Sequence, residues 1–204
     1  DPVTGDARVS GTCASLTGVE KALAENDPDE LEFAIRRILL IHGIIITIGG
    51  IPLIYLGDEI AMLNNYGYDA DPDKLGDSRW LHRSEFDWAR AEHRRDRETV
   101  PCRVYQGLLR LLQVRGQSQA FSRGETEFVD SGNKHVFGFL RTNDSATVFV
   151  LANFSEHGQR LEARRLRQMG MRKTMVDLFA GQTIVATQEL LLEPYQLMIL
   201  SRYA

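Results

Sequence analysis

Cysteine is scarce in this sequence, and its scarcity excludes two kinds of structure. The chain has 204 residues but only two cysteines, Cys13 and Cys102, which lie far apart and outside any Cys-x-x-Cys pattern. A disulfide framework and a cysteine-ligated zinc site are therefore not expected, and both thiols should be free and reduced. The five histidines show no metal-ligand spacing either, so the sequence predicts neither a metal site nor a cofactor.

An excess of positive charge is absent as well. The formal net charge is −4, and the richest basic stretch, RAEHRRDR, alternates with acids. Such a composition favours a solvated surface segment over a phosphate-binding stripe, so no nucleic-acid partner is expected. The opening residues, DPVTGDARVSG, contain no basic or apolar leader and no initiator methionine. We therefore expect a piece of a longer protein, with a cytoplasmic location.

The longest uncharged run, ILLIHGIIITIGGIPLIYLG, has about the length that a bilayer requires. Gly49, Gly50 and Pro52 interrupt it, and a Gly-Gly pair followed closely by Pro stops a helix. The run thus predicts a buried helix, a tight turn and a buried strand over residues 51–55, and no membrane partner. His42, on the apolar helix, is expected to be a core histidine with satisfied hydrogen bonds.

Other signals predict helices around that strand. Residues 10–24 should form a short helix, and a longer one should begin at Pro28, with Asp27 as its N-cap, and end at the two glycines. A helix and a buried strand joined by a tight turn make an αβ unit. The polar segment of residues 57–100 follows the strand and should emerge at its carboxyl end, where α/β proteins carry their sites. A further amphipathic helix should include residues 104–114.

From about residue 120 the pattern changes to short apolar runs that alternate with turn signals. The runs ETEFVDSG, KHVFGFLRT, ATVFVLANF, QRLEARRL, RKTMVDLFA and QELLLEPYQLMIL indicate strands, with a hairpin around TNDS. These strands predict an antiparallel β-sandwich packed against the helix of residues 104–114. The sequence of this region indicates no aromatic platform for carbohydrate.

Several motifs resemble one enzyme family in the order in which they occur. The motif GGIPLIYLGDE is similar to the eighth-strand signature of the α-amylase superfamily, glycoside hydrolase family 13. Together with TGDARVSGT, LGDSRWLHR, VYQGLLRLLQVR, NKHVFGFLR, LANFSE and LEPYQLMIL, it resembles amylosucrases over almost the whole chain. The resemblance implies an α/β plus all-β fold. Residues 1–118 would be the C-terminal part of a (β/α)8 TIM barrel, and residues 119–204 the antiparallel β-sandwich called domain C.

The resemblance also implies that the family's catalytic residues precede Asp1 in a longer protein. The family's stabilising Asp lies in a His-Asp motif, and the sequence contains no His-Asp pair. A retaining glycosidase needs two carboxylates about 5–5.5 Å apart across one bond, whereas neighbours on a strand point to opposite faces. Asp58 and Glu59 are therefore expected to bond the loop backbone rather than to form a catalytic pair. No catalytic residue is assigned, and the chain alone should be inactive.

Arg79 and Arg8 are the substrate-binding candidates. The resemblance places Arg79 at the bottom of a glucosyl pocket, paired with an acid from earlier in the barrel, and the alternative is a local surface pair with Asp77. Arg8 matches an arginine on the acceptor side of the cleft, and the alternative is a residue that tethers its loop. Asp6 and Asp58 are secondary candidates.

Three functional hypotheses follow from these residues. The leading one is an amylosucrase-like enzyme that cleaves sucrose and transfers the glucosyl unit, with retention, to an α-glucan while fructose is released. The second is a sucrose hydrolase or another α-glucosidase of the superfamily, and the third is a non-catalytic carbohydrate-binding or structural module. The expected partners are sucrose and an α-glucan acceptor, and the chain should self-associate or associate with the missing part of the barrel.

The aromatic residues Tyr66, Tyr68, Trp80 and Trp88 would stack on sugar rings or pack within their loop.

Overall fold

The computed structural model describes residues 9–187 and 189–201. These residues form two compact units. One consists of the described residues up to Ile35 together with Tyr55–Tyr105, and the other of Arg36–Ile54 together with the described residues from Gln106 onward. The domain boundary that the sequence places between residues 118 and 119 stays a prediction.

The first two helices divide a region for which the sequence predicts one. Helix α1 spans Cys13–Leu16 and helix α2 spans Val19–Glu25. Gly18 separates them with a φ of 98°, a conformation that glycine adopts without steric cost. The prediction of a single helix over residues 10–24 is wrong for this reason.

Helix α3 spans Pro28–Thr47 and begins as predicted. The carboxylate of Asp27 accepts the N–H groups of Asp29 and Glu30 at 3.1 and 3.0 Å, which confirms it as the N-cap. No helix in the part of the chain that the structure describes is long and apolar enough to cross a membrane.

Side chains from later in the sequence donate hydrogen bonds to carbonyl groups in the last turn of α3 and in the residues that follow it. Arg115 donates from Nη2 to the carbonyl of Gly50 at 2.8 Å and from Nη1 to the carbonyl of Ile46. Thr126 donates its hydroxyl to the carbonyl of Ile48. The last turn of a helix leaves four carbonyls unpaired, and Arg115 supplies a donor to one of them, the carbonyl of Ile46.

The strand predicted over residues 51–55 does not form. These residues have neither helical nor strand structure, and Ile51 and Leu53 are 97% and 79% exposed. A strand requires a neighbour with which its backbone can bond, and no strand of the described residues pairs with this segment. The prediction of a buried strand is therefore wrong for this chain, although the apolar side chains that prompted it are present.

The polar segment of residues 57–100 consists of short turns. In chain order it contains 3-10 turns at Asp58–Ile60, Tyr66–Ala70 and Ser78–Leu81, helix α4 at Trp88–Glu92, and a 3-10 turn at His93–Arg95.

Helix α5 spans Val100–Gln117 and confirms the predicted amphipathic helix, and helix α6 follows at Ala120–Arg123. Two glycines allow close packing around α5. A Cβ at Gly107 would lie 2.4 Å from Cδ2 of Leu39 on α3, and a Cβ at Gly43 of α3 would lie 2.1 Å from Cδ2 of Leu197. Both distances are shorter than carbon atoms allow, so a side chain at either position would force the neighbouring leucine to move.

Eight antiparallel strands and one helix follow among the described residues. Their bounds are β1 Glu125–Val129, β2 Val136–Thr142, β3 Thr147–Asn153, β4 Gln159–Glu162, α7 Ala163–Gln168, β5 Thr174–Asp177, β6 Gln182–Val185, β7 Glu189–Leu192 and β8 Leu197–Ser201. One sheet has the order β1-β2-β3-β8-β5-β6, and β4 pairs with β7 in a second sheet. The predicted hairpin around TNDS is confirmed, since Thr142 pairs with Thr147 and Phe139 with Val150.

The two sheets enclose one apolar core. It contains Leu140, Phe149 and Leu200 from the larger sheet and Leu161 and Leu192 from the smaller one, all between 0% and 8% exposed. This arrangement is the predicted β-sandwich. The run QRLEARRL is a strand only in its first half, because straight-chain residues that favour a helix continue it as α7.

Helix α5 packs against this region as predicted. Arg110 donates from Nη2 to the carbonyl of Leu178 at 2.8 Å and from Nε to the carbonyl of Phe179 at 3.3 Å. Both acceptors lie in the turn after β5, so hydrogen bonds join the helix to the β region.

Candidate functional site

Side chains that bond to nearby backbone hold the polar segment of residues 57–100. Asn65, Asp77 and Asp87 each precede a short helical turn. Their side-chain oxygens accept the N–H group of the residue two or three positions later, at 2.8–3.0 Å. Asn and Asp favour such caps over strand or helix interiors, which explains why a long segment without apolar periodicity has a defined path.

Asn64 joins this segment to helices α1 and α2. Its Oδ1 accepts the N–H of Thr12 at 2.8 Å, and its Nδ2 donates to Ser15 Oγ at 2.9 Å and to Tyr66 Oη at 3.0 Å. Tyr66 donates its hydroxyl to Glu20 Oε2 at 2.8 Å, and Glu20 Oε1 accepts the N–H of Asn64. The sequence did not reveal this network, because it joins two groups of residues that lie more than forty positions apart and match no motif.

A cavity of about 680 Å³ opens within the polar segment. Its lining is mostly polar and includes Asn64, Lys74, Trp80, Arg83, Glu85 and Arg90. Lys74 Nζ lies 5.4 Å from the centre of the Trp80 ring and 2.9 Å from Asp71 Oδ2. The hydrogen bond with Asp71 raises the pKa of Lys74. An aromatic ring beside fixed donors and acceptors suits a polar organic ligand of the size of a sugar unit.

Arg90 borders this cavity and is held by backbone. Its Nε donates to the carbonyls of Ile60 and Ala61, both at 3.0 Å. Its Nη2 is buried and has no hydrogen-bond partner among the described residues. Burial lowers the pKa of Arg90, against the opposing effect of Asp87 and Glu20. A buried donor without a partner is costly, so Arg90 offers one unused hydrogen bond at this site.

Arg79 is exposed and pairs with Asp77. Its Nε lies 2.8 Å from Asp77 Oδ1 and its Nη2 lies 2.6 Å from Asp77 Oδ2, a two-point contact between guanidinium and carboxylate. The side chains are 57% and 35% exposed. Hydrogen bonds from Arg79 hold the pKa of Asp77 at about 2. The local pair weighed at the sequence level is therefore present, and a role for Arg79 in a glucosyl pocket stays a prediction.

The remaining candidates from the sequence lie outside the described residues or in a 3-10 turn. Arg8 and Asp6 lie outside the described residues. Glu59 Oε2 accepts the N–H of Gly57 at 2.7 Å, as expected of a carboxylate that bonds the loop backbone. Asp58 and Glu59 lie in a 3-10 turn rather than on a strand. Neighbours there are separated by about 120° around the axis, so the strand argument against a catalytic pair does not apply to this geometry.

The aromatic candidates have separate environments. Trp80 lines the cavity, whereas Trp88 is 75% exposed and meets Phe86 edge to face, with ring centres 4.8 Å apart. Tyr66 belongs to the Asn64 network. Of the aromatic residues considered from the sequence, Trp80 is the one that lines this cavity.

The burial and the contacts of His42 and the two cysteines are those of structural residues. His42 is 2% exposed and its Nδ1 donates to the carbonyl of Ile38 at 2.9 Å, which confirms it as a satisfied core histidine. Both cysteines are free, and Cys102 is buried. Burial, with a smaller effect from Asp58, raises the pKa of Cys13 to about 12, so this thiol stays protonated and unreactive at neutral pH.

Comparison with known proteins identifies the class of fold. Residues 126–199 match the family "Maltogenic Amylase, C-terminal domain". The structure is similar to a variant of AmyP in complex with maltotriose, with a TM-score of 0.64, 17% identity and coverage of 85% of this chain and 38% of that one. It is also similar to the trehalulose synthase MutB from Pseudomonas mesoacidophila MX-45, with a TM-score of 0.57, 16% identity and coverage of 81% and 38%. The fold is thus that of the C-terminal part of an α-amylase-type enzyme, with its antiparallel domain C.

A curated relative is more similar in sequence. Glucosylglycerate phosphorylase of Escherichia coli (strain K12) is 27% identical over 164 residues, which cover 79% of this chain. The match covers 27% of that relative, so the chain spans about a quarter of its length.

Proposed function

We propose that this chain is the C-terminal portion of an amylosucrase-like enzyme. The longer enzyme would cleave sucrose, hold the glucosyl unit as a covalent intermediate and transfer it with retention to an α-glucan, with fructose as the leaving group. The order of the family-like motifs supports this proposal, as does a similar fold in a MutB variant solved "in complex with the substrate sucrose". The two carboxylates that a retaining mechanism requires are expected in the part of the longer protein that precedes this chain.

The observation that carries the proposal is the position of Arg79 in the polar segment. Asp77 occupies the edge of the planar group formed by Nε and Nη2. A permanently charged fork is suited to a second acid or to sugar hydroxyls on its remaining edge. Arg79 is followed directly by Trp80, which lines the cavity. In our proposal Arg79 closes the glucosyl pocket, and Arg8 contributes on the acceptor side.

A second candidate function is phosphorolysis, which the similarity to Glucosylglycerate phosphorylase favours. In that reaction phosphate, rather than a glucan hydroxyl, would attack the glucosyl intermediate. The cavity carries three cations, Lys74, Arg83 and Arg90. Lys74 is paired with Asp71 and Arg90 donates to two carbonyls. Two acids of the lining, Glu85 and Asp87, and Asp71 beside Lys74 balance the three cations. The cavity therefore provides little net positive charge for phosphate, and we favour transfer to a glucan.

Product analysis of the longer enzyme tests the proposal. Purified protein is incubated with sucrose, with and without inorganic phosphate, and fructose, glucose, glucose 1-phosphate and α-glucan are quantified. Transfer predicts more fructose than glucose, with an α-glucan that grows. Equal amounts of glucose and fructose would identify a hydrolase, and glucose 1-phosphate formed only with phosphate would identify a phosphorylase. If sucrose is not consumed under any condition, the proposal is wrong.

A further inference from the structure

The cavity of the polar segment lies within a loop whose two ends meet at Arg90. Apart from Arg90 itself, the residues that line the cavity belong to the segment 62–87, which we call the cavity loop. Arg90, on α4, donates from Nε to the carbonyls of Ile60 and Ala61, both at 3.0 Å. These two acceptors directly precede the cavity loop, and Arg90 follows it. The contact therefore closes the base of the loop.

A small apolar cluster joins the same two ends. Ile60, Met62 and Ala91 are between 1% and 7% exposed, and Phe86 packs against them. Apolar burial is non-directional, so this cluster holds the ends of the cavity loop together without fixing the path of the backbone. Hydrogen bonds depend on angle as well as on distance. The contact of Arg90 therefore supplies the directional part of this closure.

The backbone at Ala61 has an unfavourable conformation. Its φ is 50° and its ψ is 51°, in the left-handed region, where the Cβ of an alanine lies too close to a carbonyl oxygen. A strained residue keeps such a conformation only where its surroundings hold it. The N–H of Ala61 donates to the carbonyl of Asp58 at 3.0 Å, and its carbonyl accepts from Arg90. The contact with Arg90 is thus one of the restraints on the strained residue.

Arg90 makes this contact under unfavourable conditions of its own. Its Nη2 is buried and has no hydrogen-bond partner among the described residues. Burial lowers the pKa of Arg90, because it disfavours the charged form. The strain at Ala61 and the desolvation of Arg90 therefore coincide at one contact. Local costs of this kind are typical of positions whose geometry serves a functional site.

We propose that Arg90 is a positioning residue of the sugar site, whose hydrogen bonds fix the backbone at Ile60 and Ala61 and so set the direction in which the cavity loop begins. This inference rests on the proposed function, in which the polar segment carries the sugar site. Without Arg90, Ala61 relaxes toward a negative φ, and residues 62–65, which line the cavity, change direction. Arg90 acts through this backbone and needs no contact with the sugar.

Amide hydrogen exchange of the 204-residue chain tests whether Arg90 fixes the loop. The N–H of Met62 donates to the carbonyl of Gly57 at 2.9 Å, and that of Asn65 donates to the carbonyl of Leu81 at 2.8 Å. In Arg90→Ala both amides should exchange about tenfold faster. Helix α2, which belongs to the same compact unit, should keep its wild-type rates. This pattern distinguishes a local change of path from a loss of stability of the whole unit.

Two further substitutions isolate the cause. Glycine adopts a positive φ without steric cost, so Ala61→Gly removes the strain that Arg90 opposes. When Ala61→Gly is combined with Arg90→Ala, exchange should return to within about threefold of wild type. Arg94→Ala is the matched control, because Arg94 donates from Nη1 to the carbonyl of Ala91 at 2.6 Å, only three positions away. This control should leave exchange in the cavity loop at the wild-type rate.

Kinetics of the longer enzyme test the link to the sugar site. Arg90→Ala should lower kcat/KM for sucrose by about tenfold, the double variant should recover most of this loss, and Arg94→Ala should have no effect. If the wild-type enzyme does not consume sucrose, the proposed function fails, and hydrogen exchange alone still decides whether Arg90 fixes the loop.

Four results would overturn the proposal. Wild-type exchange at Met62 and Asn65 in Arg90→Ala would show that the contact does not hold the loop, and equal acceleration in α2 would show a general loss of stability. No recovery on addition of Ala61→Gly would show that Arg90 does not oppose the strain. Wild-type kcat/KM in Arg90→Ala, in an enzyme that consumes sucrose, would separate this contact from the site.

Discussion

The β region, strands β1–β8, and the polar segment of residues 57–100 keep their shapes by different means. In the β region backbone groups pair with one another along ladders, and the two sheets share an apolar core. In the polar segment, Asn and Asp side chains cap short turns and a single Asn64 network joins the segment to α1 and α2. A ladder tolerates changes of side chain, whereas a capped loop depends on particular polar atoms. The polar segment can therefore hold a site in a defined geometry, but its structure is sensitive to single substitutions.

The largest loss of stability is expected at an exception within the β region, Asp177. It is 1% exposed, and its Oδ1 accepts the N–H groups of Phe179, Ala180 and Ile199 at 3.0–3.3 Å. Asp177→Ala leaves three buried donors unpaired and should lower the free energy of unfolding by about 3 kcal/mol. Denaturant titration measures this change. Asp177→Asn keeps the accepting oxygen and should lose less, and equal losses in the two variants would contradict the argument.

The stability of wild type relative to Asp177→Asn should also depend on pH. Burial raises the pKa of Asp177 above its ordinary value of 3.8, although the backbone N–H groups and Arg110 act in the opposite direction. The folded protein holds this proton more tightly than the unfolded chain does. The stabilising effect is complete below pH 3.8 and is lost as the pH rises through the raised folded pKa. The stability of wild type relative to Asp177→Asn should thus fall as the pH rises above 3.8, and a constant difference would contradict this assignment.

Asn64 tests the polar segment in the same way. Asn64→Ala removes an acceptor from Thr12 and a donor from Ser15 and Tyr66. We expect a loss of about 2 kcal/mol, with faster amide hydrogen exchange in the turn at Tyr66–Ala70. Asn65→Ala is the matched control, since Asn65 caps only its own turn and should lose about 1 kcal/mol or less. An equal effect of both substitutions would show that the network adds nothing beyond local capping.

Helix α5 contains one glycine at a packed position, Gly107, and one at an open position, Gly116. Gly107→Ala would place a methyl group 2.4 Å from Cδ2 of Leu39. We expect it to destabilise the protein by about 1–2 kcal/mol, because the cost of overpacking exceeds the gain in helix propensity. At Gly116 nothing lies within 4 Å of the added carbon, so Gly116→Ala should stabilise by up to about 1 kcal/mol. Thermal unfolding of both variants checks the sign. A stabilising Gly107→Ala would show that α3 and α5 are not packed as described.

The smallest effect on stability is expected at the segment of residues 51–55. Leu53 is 79% exposed, so Leu53→Asp should leave the free energy of unfolding within about 0.5 kcal/mol of wild type. It should reduce self-association of the chain, because an exposed apolar segment without a strand partner favours contact with another chain. Sedimentation velocity at several protein concentrations measures this. If the wild-type chain remains monomeric throughout, this segment does not drive association.

The sequence predicted elements best where a local signal decides the structure. Asp27 with Pro28 marked the start of α3, and the turn signal TNDS marked the hairpin between β2 and β3. The strand predicted over residues 51–55 does not form, because apolar character cannot supply a neighbouring strand. The Asn64 network depends on residues far apart in sequence. Periodicity reports which face of an element is apolar, but it does not report which faces meet.

Arg79 is the most direct test of the central claim, that the polar segment carries a sugar site. In the longer enzyme, kcat/KM for sucrose is measured for Arg79→Ala and Arg79→Lys, with Arg97→Ala as the control for an exposed arginine of the same segment. We predict a fall of about a hundredfold in Arg79→Ala, little rescue by lysine, which lacks the planar fork, and wild-type kinetics in Arg97→Ala. Wild-type kinetics in Arg79→Ala would instead show that its contact with Asp77 is only a surface ion pair, and would contradict a sugar site built around Arg79.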